Sequence, residues 1–182
     1  MPGTCSSGGL SLPTVHMQPA MPAEYPAVIQ LLQQAAQALH ARGVSQWPPA
    51  WLSSQRQLIA RQVDQGQVWT ARLPGANQTL AGIVTVQEQA EIFWGVVREP
   101  TLFFQKLARH PEAGYAGIGD RILCWLEQEA RQRACLWLRL ECLASNTALH
   151  RYYETRGFTQ TGHAIDQDTP LLLYQKRIQP QG

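Results

Sequence analysis

The stretch Arg109-His-Pro-Glu-Ala-Gly-Tyr-Ala-Gly-Ile-Gly-Asp-Arg-Ile-Leu123 decides how this chain is read, because a glycine-rich loop opens directly into an apolar-periodic helix. Loop glycines let backbone N–H groups converge on an anion. The first turn of the following helix adds unsatisfied donors and the positive end of its dipole. The same pattern also fits a plain strand-to-helix turn, so its neighbours have to choose between the two readings.

Downstream, Ile118, Ile122, Trp125, Leu126 and Ala130 recur at the interval of a helix packed on a sheet. Leu136, Leu138 and Leu140 then alternate with Trp137, Arg139 and Glu141, which predicts a strand. The run Ala144-Ser-Asn-Thr147 is rich in helix-capping residues and opens a shorter helix that Gly157 ends. Residues 158–162 and 171–176 are expected as two closing strands. Upstream, residues 102–109 carry a strand signal directly before the loop. Residues 87–100 are the least patterned, with Ile92, Phe93 and Trp94 expected to anchor them.

Further back, residues 68–72 and 80–86 read as a hairpin around Pro74-Gly75, with Gly82 marking a bulge or a close backbone approach. Two helices precede it. Residues 24–42 place Val28, Leu31, Leu32, Ala35, Ala38 and Leu39 on one face and stop at Gly43. Residues 50–65 do the same with Leu52, Ile59 and Val63, ending at Gly66. Trp47, Pro48, Pro49 and Trp51 connect them, and residues 15–18 suggest a first strand. The order strand, two helices, three strands, helix, strand, helix, two strands implies a mixed α/β sheet with its ligand crevice at the carboxyl ends of the central strands.

Composition narrows the function. The 182 residues fit one domain, and 45% hydrophobic content is enough for a core. A net charge of +2, with arginines scattered singly, gives no nucleic-acid footprint. No apolar run reaches the roughly 20 residues needed to cross a bilayer. Residues 1–13 lack the basic start and apolar stretch of a signal peptide and read as a flexible tail. The four cysteines Cys5, Cys124, Cys135 and Cys142 have neither metal-ligand spacing nor paired histidines, so no metal is expected; three sit in apolar helix or strand patterns as small hydrophobes. A reducing, cytoplasmic location follows from that reading.

Two stretches together resemble the GNAT superfamily of acyl-CoA N-acyltransferases. The first, residues 107–119, looks like that family's strand followed by its pyrophosphate loop, Gln/Arg-x-x-Gly-x-Gly/Ala. The second, Asn146-Thr-Ala-Leu-His-Arg-Tyr-Tyr-Glu-Thr-Arg-Gly-Phe158, is similar to the later motif of an asparagine, an alanine and Tyr-Glu-x-x-Gly-Phe. The resemblance implies a single-domain α/β fold over residues 14–178, followed by a tail at 179–182, with a mixed sheet of about six to seven strands and about four helices. It further implies acetyl-CoA as co-substrate. Gly114, Tyr115, Ala116, Gly117, Ile118, Gly119 and Asp120 would hold the pyrophosphate, Leu107 and Arg109 would pair through their backbone with the pantetheine arm, and Asn146 would either bond that arm or simply cap its helix. Tyr153, four residues before Gly157, falls where the family places the general acid; Tyr152 is expected to pack. Glu88 and Glu91 lie where the family often draws a base toward the amine, and they equally fit ordinary exposed charge. His110 and His16 are further alternatives.

Two positions depart from the family pattern. Gly114 replaces the leading Gln or Arg of the loop, and Arg109 replaces a frequent apolar residue. Trp47, Trp51 and Trp94 fall in segments the family uses to wall the acceptor, although core packing explains them equally well. The expected activity is transfer of an acetyl group to a primary amine, of small-molecule size by default, through direct attack. The alternative is a non-catalytic acyl-CoA-binding module on the same fold. An ATP site is disfavoured because no lysine follows the glycines as in a P-loop. Exposed edge strands near the C-terminus leave a homodimer open.

Overall fold

The computed structural model describes residues 14–75, 77–89 and 92–179. The expected tail at 1–13, residues 180–182, Glu91 and Cys5 lie outside the described residues. The elements are β1 (His16–Pro19), α1 (Tyr25–His40), α2 (Pro49–Asp64), β2 (Val68–Arg72), β3 (Leu80–Gln87), β4 (Thr101–Arg109), α3 (Ile118–Gln132), β5 (Trp137–Leu143), α4 (Thr147–Glu154), β6 (Thr159–Asp166) and β7 (Thr169–Arg177). They form one seven-stranded mixed sheet in the order β1-β2-β3-β4-β5-β7-β6. All pairs are antiparallel except β4 with β5.

Each face of the sheet carries its own core. On one side Ile118, Ile122, Leu126 and Ala130 of α3, with Tyr153 of α4, pack on Val84, Leu102, Leu138 and Leu140. On the other, Val28, Leu32, Ile59 and Val63 of α1 and α2 pack on Val68, Ile83 and Ala108. The spacing of these residues along each helix is the 3.6-residue stripe that the sequence carries. The chain stops each of the first two helices with a left-handed glycine, Gly43 at φ 78° and Gly66 at φ 67°.

Close approach requires glycine at Gly82, and a bulge lies next to it at Ala81. The β2–β3 register slips between Ala71 and Arg72, and a Cβ at Gly82 would lie 2.9 Å from the Ala108 carbonyl oxygen and 2.9 Å from Ile122 Cδ1. The closing strands are longer than their apolar residues suggest. Gln167 and Asp168, at φ 42° and 68°, make the two-residue turn that closes the β6–β7 hairpin, while the exposed, polar β6 hides its alternation. The anchor in residues 87–100 is also narrower than expected: Trp94 packs edge-on against Phe103, whereas Ile92 is 87% exposed.

The decisive feature lies between β4 and β5. They pair only over Thr101–Phe103 and Trp137–Arg139, after which β5 stays with β7 and β4 diverges toward Arg109. A second bulge accompanies the divergence. The β3–β4 register slips between Ile83 and Thr85, and Lys106 takes φ 53°, a conformation uncommon for a side chain of its size. The pairing of β4 with β5 thus ends at Phe103, and the two strands splay apart beyond it.

Candidate active site

The splay opens into a cleft of about 930 Å³, bordered by Leu107, Ala108, Arg109, Gly117, Gly119, Asp120, Glu141, Asn146 and Tyr153 and by the Trp47–Trp51 segment. At one end lies the glycine loop. Gly117 caps α3 at φ 80°, and the first helical bond runs from Arg121 N to Gly117 O. The amides of Ile118, Gly119 and Asp120 therefore have no helical acceptor and lie at the positive end of the helix dipole, the kind of end that can hold an anion. Arg109 Nη1 donates to the carbonyls of His110 (2.8 Å) and Glu112 (3.4 Å), so its side chain clamps the loop. Tyr115 stacks on His110, and Gly114 is exposed with nothing within 4 Å of a built Cβ. Packing does not demand glycine at position 114.

The two adjacent tyrosines of α4 have different environments. Tyr152 donates to Asp120 Oδ1 (2.9 Å), and its ring carries the Arg156 guanidinium 3.6 Å above its centre. Arg156 also donates to that carboxylate at 2.6 Å, which ties the first turn of α3 to α4. Tyr153 is 4% exposed, ringed by Phe104, Phe158, Tyr152 and Tyr174, and its hydroxyl makes no hydrogen bond among the described residues. Burial, reinforced by Tyr152 and Cys142, pushes its phenol well above the usual tyrosine range, so it is a protonated donor at neutral pH. Beside it, burial and then Glu141 push the Cys142 thiol up to about 12. A thiol held protonated is no nucleophile at neutral pH.

Asn146 is the cap that its position allowed. Its Oδ1 accepts from Leu149 N (3.1 Å), while Nδ2 donates to Gln46 Oε1 at 2.6 Å. That second bond straps the α1–α2 connection to the start of α4 and holds Trp47, at φ 53°, beside the cleft. Trp47 and Trp51 stack with ring centres 5.9 Å apart. Trp94 does not border the cleft. Its indole N–H donates to Glu141 Oε1 and its ring is covered by Arg139, so it supports the site from behind while Phe93 faces inward.

Residues 28–158 match the family described as the acetyltransferase (GNAT) family. The chain belongs to that family. Over 149 residues it is 26% identical to an uncharacterized N-acetyltransferase, YesJ, of Bacillus subtilis, an alignment covering 79% of this chain and 81% of YesJ. Its fold is similar to a GNAT-family acetyltransferase from Listeria monocytogenes (TM-score 0.72, 18% identity, 92% of this chain and 98% of that one). It is also similar to YncA, a putative acetyltransferase from Salmonella typhimurium crystallised with acetyl-CoA (TM-score 0.63, 16% identity, 93% and 96%). The chain is thus an N-acetyltransferase of the GNAT fold.

Placed in this GNAT cleft, the residues expected from the sequence divide clearly. Leu107, Arg109, Gly117, Gly119, Asp120, Asn146, Tyr153, Trp47 and Trp51 converge on it. Glu88 does not: it is 63% exposed and pairs with Arg133 near the far end of α3 (3.0 Å). The cause is strand direction. β3 runs antiparallel to β4, so Gln87 ends opposite Phe103, and the chain leaves β3 at the end of the sheet away from Arg109. A carboxylate that does border the cleft, besides Asp120 and Asp166, is Glu141, an intermediate-burial position near the carboxyl end of β5. Its place beside the parallel strand pair, where α/β sheets put their ligands, was the available signal.

Proposed function

We propose that this chain transfers the acetyl group of acetyl-CoA to the primary amine of a small molecule by direct attack. The observation that carries this reading is the sharing of one cleft by a helix start with unsatisfied amides, the edge of β4 that splays from β5, and a buried protonated phenol. The amides of residues 117–120 would hold the pyrophosphate, and the splayed edge of β4 at Leu107 and Arg109 would pair with the amides of the pantetheine arm as an added strand does. The thioester would then lie in the splay, with Tyr153 on the α3–α4 side of the sheet and Glu141 on the other.

In the reaction the amine nitrogen bonds to the thioester carbonyl carbon, and the C–S bond breaks. The departing thiolate takes the Tyr153 proton, and the proton lost by the amine leaves on the Glu141 side. The raised thiol of Cys142 supports direct attack over an enzyme-bound acyl group. Stacking, strapping and capping bonds place these groups before substrate arrives, and such preorganisation is where orientation contributes most to rate. The free thiols Cys124, Cys135 and Cys142 are in keeping with a cytoplasmic enzyme. The test is thiol release from acetyl-CoA in the presence of a broad amine panel. Acetylated product from at least one amine supports the reading; tight CoA binding with no turnover for any amine overturns it in favour of a binding module.

A further inference from the structure

The acceptor half of the cleft sets an aromatic wall beside a carboxylate, Glu141. Trp47 and Trp51 form a stacked wall, Phe93 stands near them, and two apolar side chains that water would otherwise disfavour border the same mouth, Leu58 at 37% and Ile92 at 87% exposure. Exposed apolar groups gathered at one opening mark a binding surface. The Trp47 backbone is held in the left-handed region, and strain of this kind persists where the surrounding structure over-determines it, commonly at ligand clamps. Here the Gln46–Asn146 strap does so.

The charges around that half limit what can enter. Glu141, Asp120 and Asp166 all border the cleft; Glu141 is held by the Trp94 indole, Asp120 is bound to Arg156, and Asp166 is exposed beside the β6–β7 turn. Arg42 and Lys106 border the same space. Among the described residues, a polycation would meet Arg42 and the Lys106 ammonium, which Gln62 and Gln105 hold, while the carboxylate placed beside the splay by a hydrogen bond to a neighbouring ring is Glu141. A single ammonium attached to an apolar body would meet a carboxylate and an aromatic wall, which also attracts cations through the ring faces.

We propose that the acceptor is a monoamine with an aromatic-sized apolar body, its ammonium on Glu141 and its body against Trp47 and Trp51. The inference rests on the acetyl-transfer reading above and deepens it. The test compares 2-phenylethylamine, ethylamine and spermidine on the wild type, Trp51→Ala, Ile92→Ser and Glu141→Gln, by turnover and by calorimetric binding to the CoA-loaded protein.

The expected result is that phenylethylamine has the highest kcat/KM and loses about tenfold of it in Trp51→Ala, in proportion to the apolar area uncovered, while ethylamine changes little. Ile92→Ser, at an exposed position that folding does not depend on, lowers phenylethylamine kcat/KM about twofold. Glu141→Gln weakens both monoamines together. Spermidine as the best acceptor, or equal losses for phenylethylamine and ethylamine in Trp51→Ala, would overturn the proposal. Should no amine release thiol, calorimetry still decides: phenylethylamine binding that depends on Trp51 and Glu141 sustains this inference and removes only the transfer reading, and absent binding removes both.

Discussion

Replacing Tyr153 with phenylalanine separates chemistry from folding unusually well in this molecule. The side chain is 4% exposed and its ring contacts, with centres 5.3 to 6.4 Å from Tyr152, Phe158, Phe104 and Tyr174, survive the change. Its hydroxyl makes no hydrogen bond among the described residues, so removing it breaks no pair and folding stability should stay within about 0.5 kcal/mol. Turnover is a different matter. Loss of a positioned general acid costs about 10²- to 10⁴-fold in rate, or roughly 3 to 5 kcal/mol of barrier. The assay is kcat by thiol release across pH 6 to 9, with CoA affinity by calorimetry and a thermal melt alongside. CoA binding should be unchanged, because the loop amides and β4 edge are untouched. Tyr152→Phe is the control: it removes a bond to an Asp120 carboxylate and should cost about 1.5 kcal/mol or more in stability. Full turnover in Tyr153→Phe across that pH range would refute the acid assignment, and a large fall in its melting temperature would show that the hydroxyl has a structural partner.

Two further outcomes follow from the packing and the titrating groups. Gly82→Ala places a methyl 2.9 Å from the Ala108 carbonyl and 3.0 Å from Ile118 Cγ2, so overpacking of about 1–3 kcal/mol should lower the melting temperature by about 2–10 °C and loosen CoA at the start of α3; a melt within 1 °C of wild type (roughly the resolution of a scan) would show that β3 relaxes freely. At alkaline pH the folded state should lose stability stepwise. Burial pushes Cys142 up to about 12, burial and Glu154 push Tyr174 up to about 12, and burial with Asp120 raises Tyr152 as well. The folded protein therefore keeps protons that the unfolded chain sheds from about pH 8.5 for the thiol and about pH 10 for the phenols. Stability is fully present below those values and falls as pH rises toward 12. Denaturant midpoints at pH 7, 9, 10 and 11 check this, and a flat profile would contradict the burial of these groups.

The parts of the site legible in the sequence are those the chain keeps close together. The loop at 114–120 sits between a strand and a helix whose periods are both clear, and one short helix is capped by Asn146, carries Tyr153 and is followed by Gly157, so spacing alone brings Asn146 and Tyr153 to the splay. The acceptor side is built from residues far apart in the chain. Gln46 bonds Asn146 a hundred residues away, and Trp94 bonds Glu141 across 47 residues. Nothing in local composition encodes such pairs. Glu88 shows the same limit from the other direction: it follows β3 closely in sequence, yet antiparallel pairing delivers it to the wrong end of the sheet. The bulge at Lys106 escaped as well, because a left-handed lysine has no glycine to announce it.

Asp120 completes the logic of the cleft. A carboxylate in the first turn of α3 stabilises the free helix but would repel a bound pyrophosphate a few ångströms away. Arg156 would remove that conflict: it contacts the carboxylate at 2.5 Å, so the proposed anion site would meet a neutral pair. The same carboxylate accepts the Tyr152 hydroxyl proton, which engages that phenol in structure. Of the two adjacent tyrosines, only Tyr153 is then left with a hydroxyl uncommitted to the protein. On the proposed reading, one ion pair would both ready the pyrophosphate end and leave Tyr153 as the acid, and the two tyrosines, similar in sequence, differ by what each hydroxyl already touches.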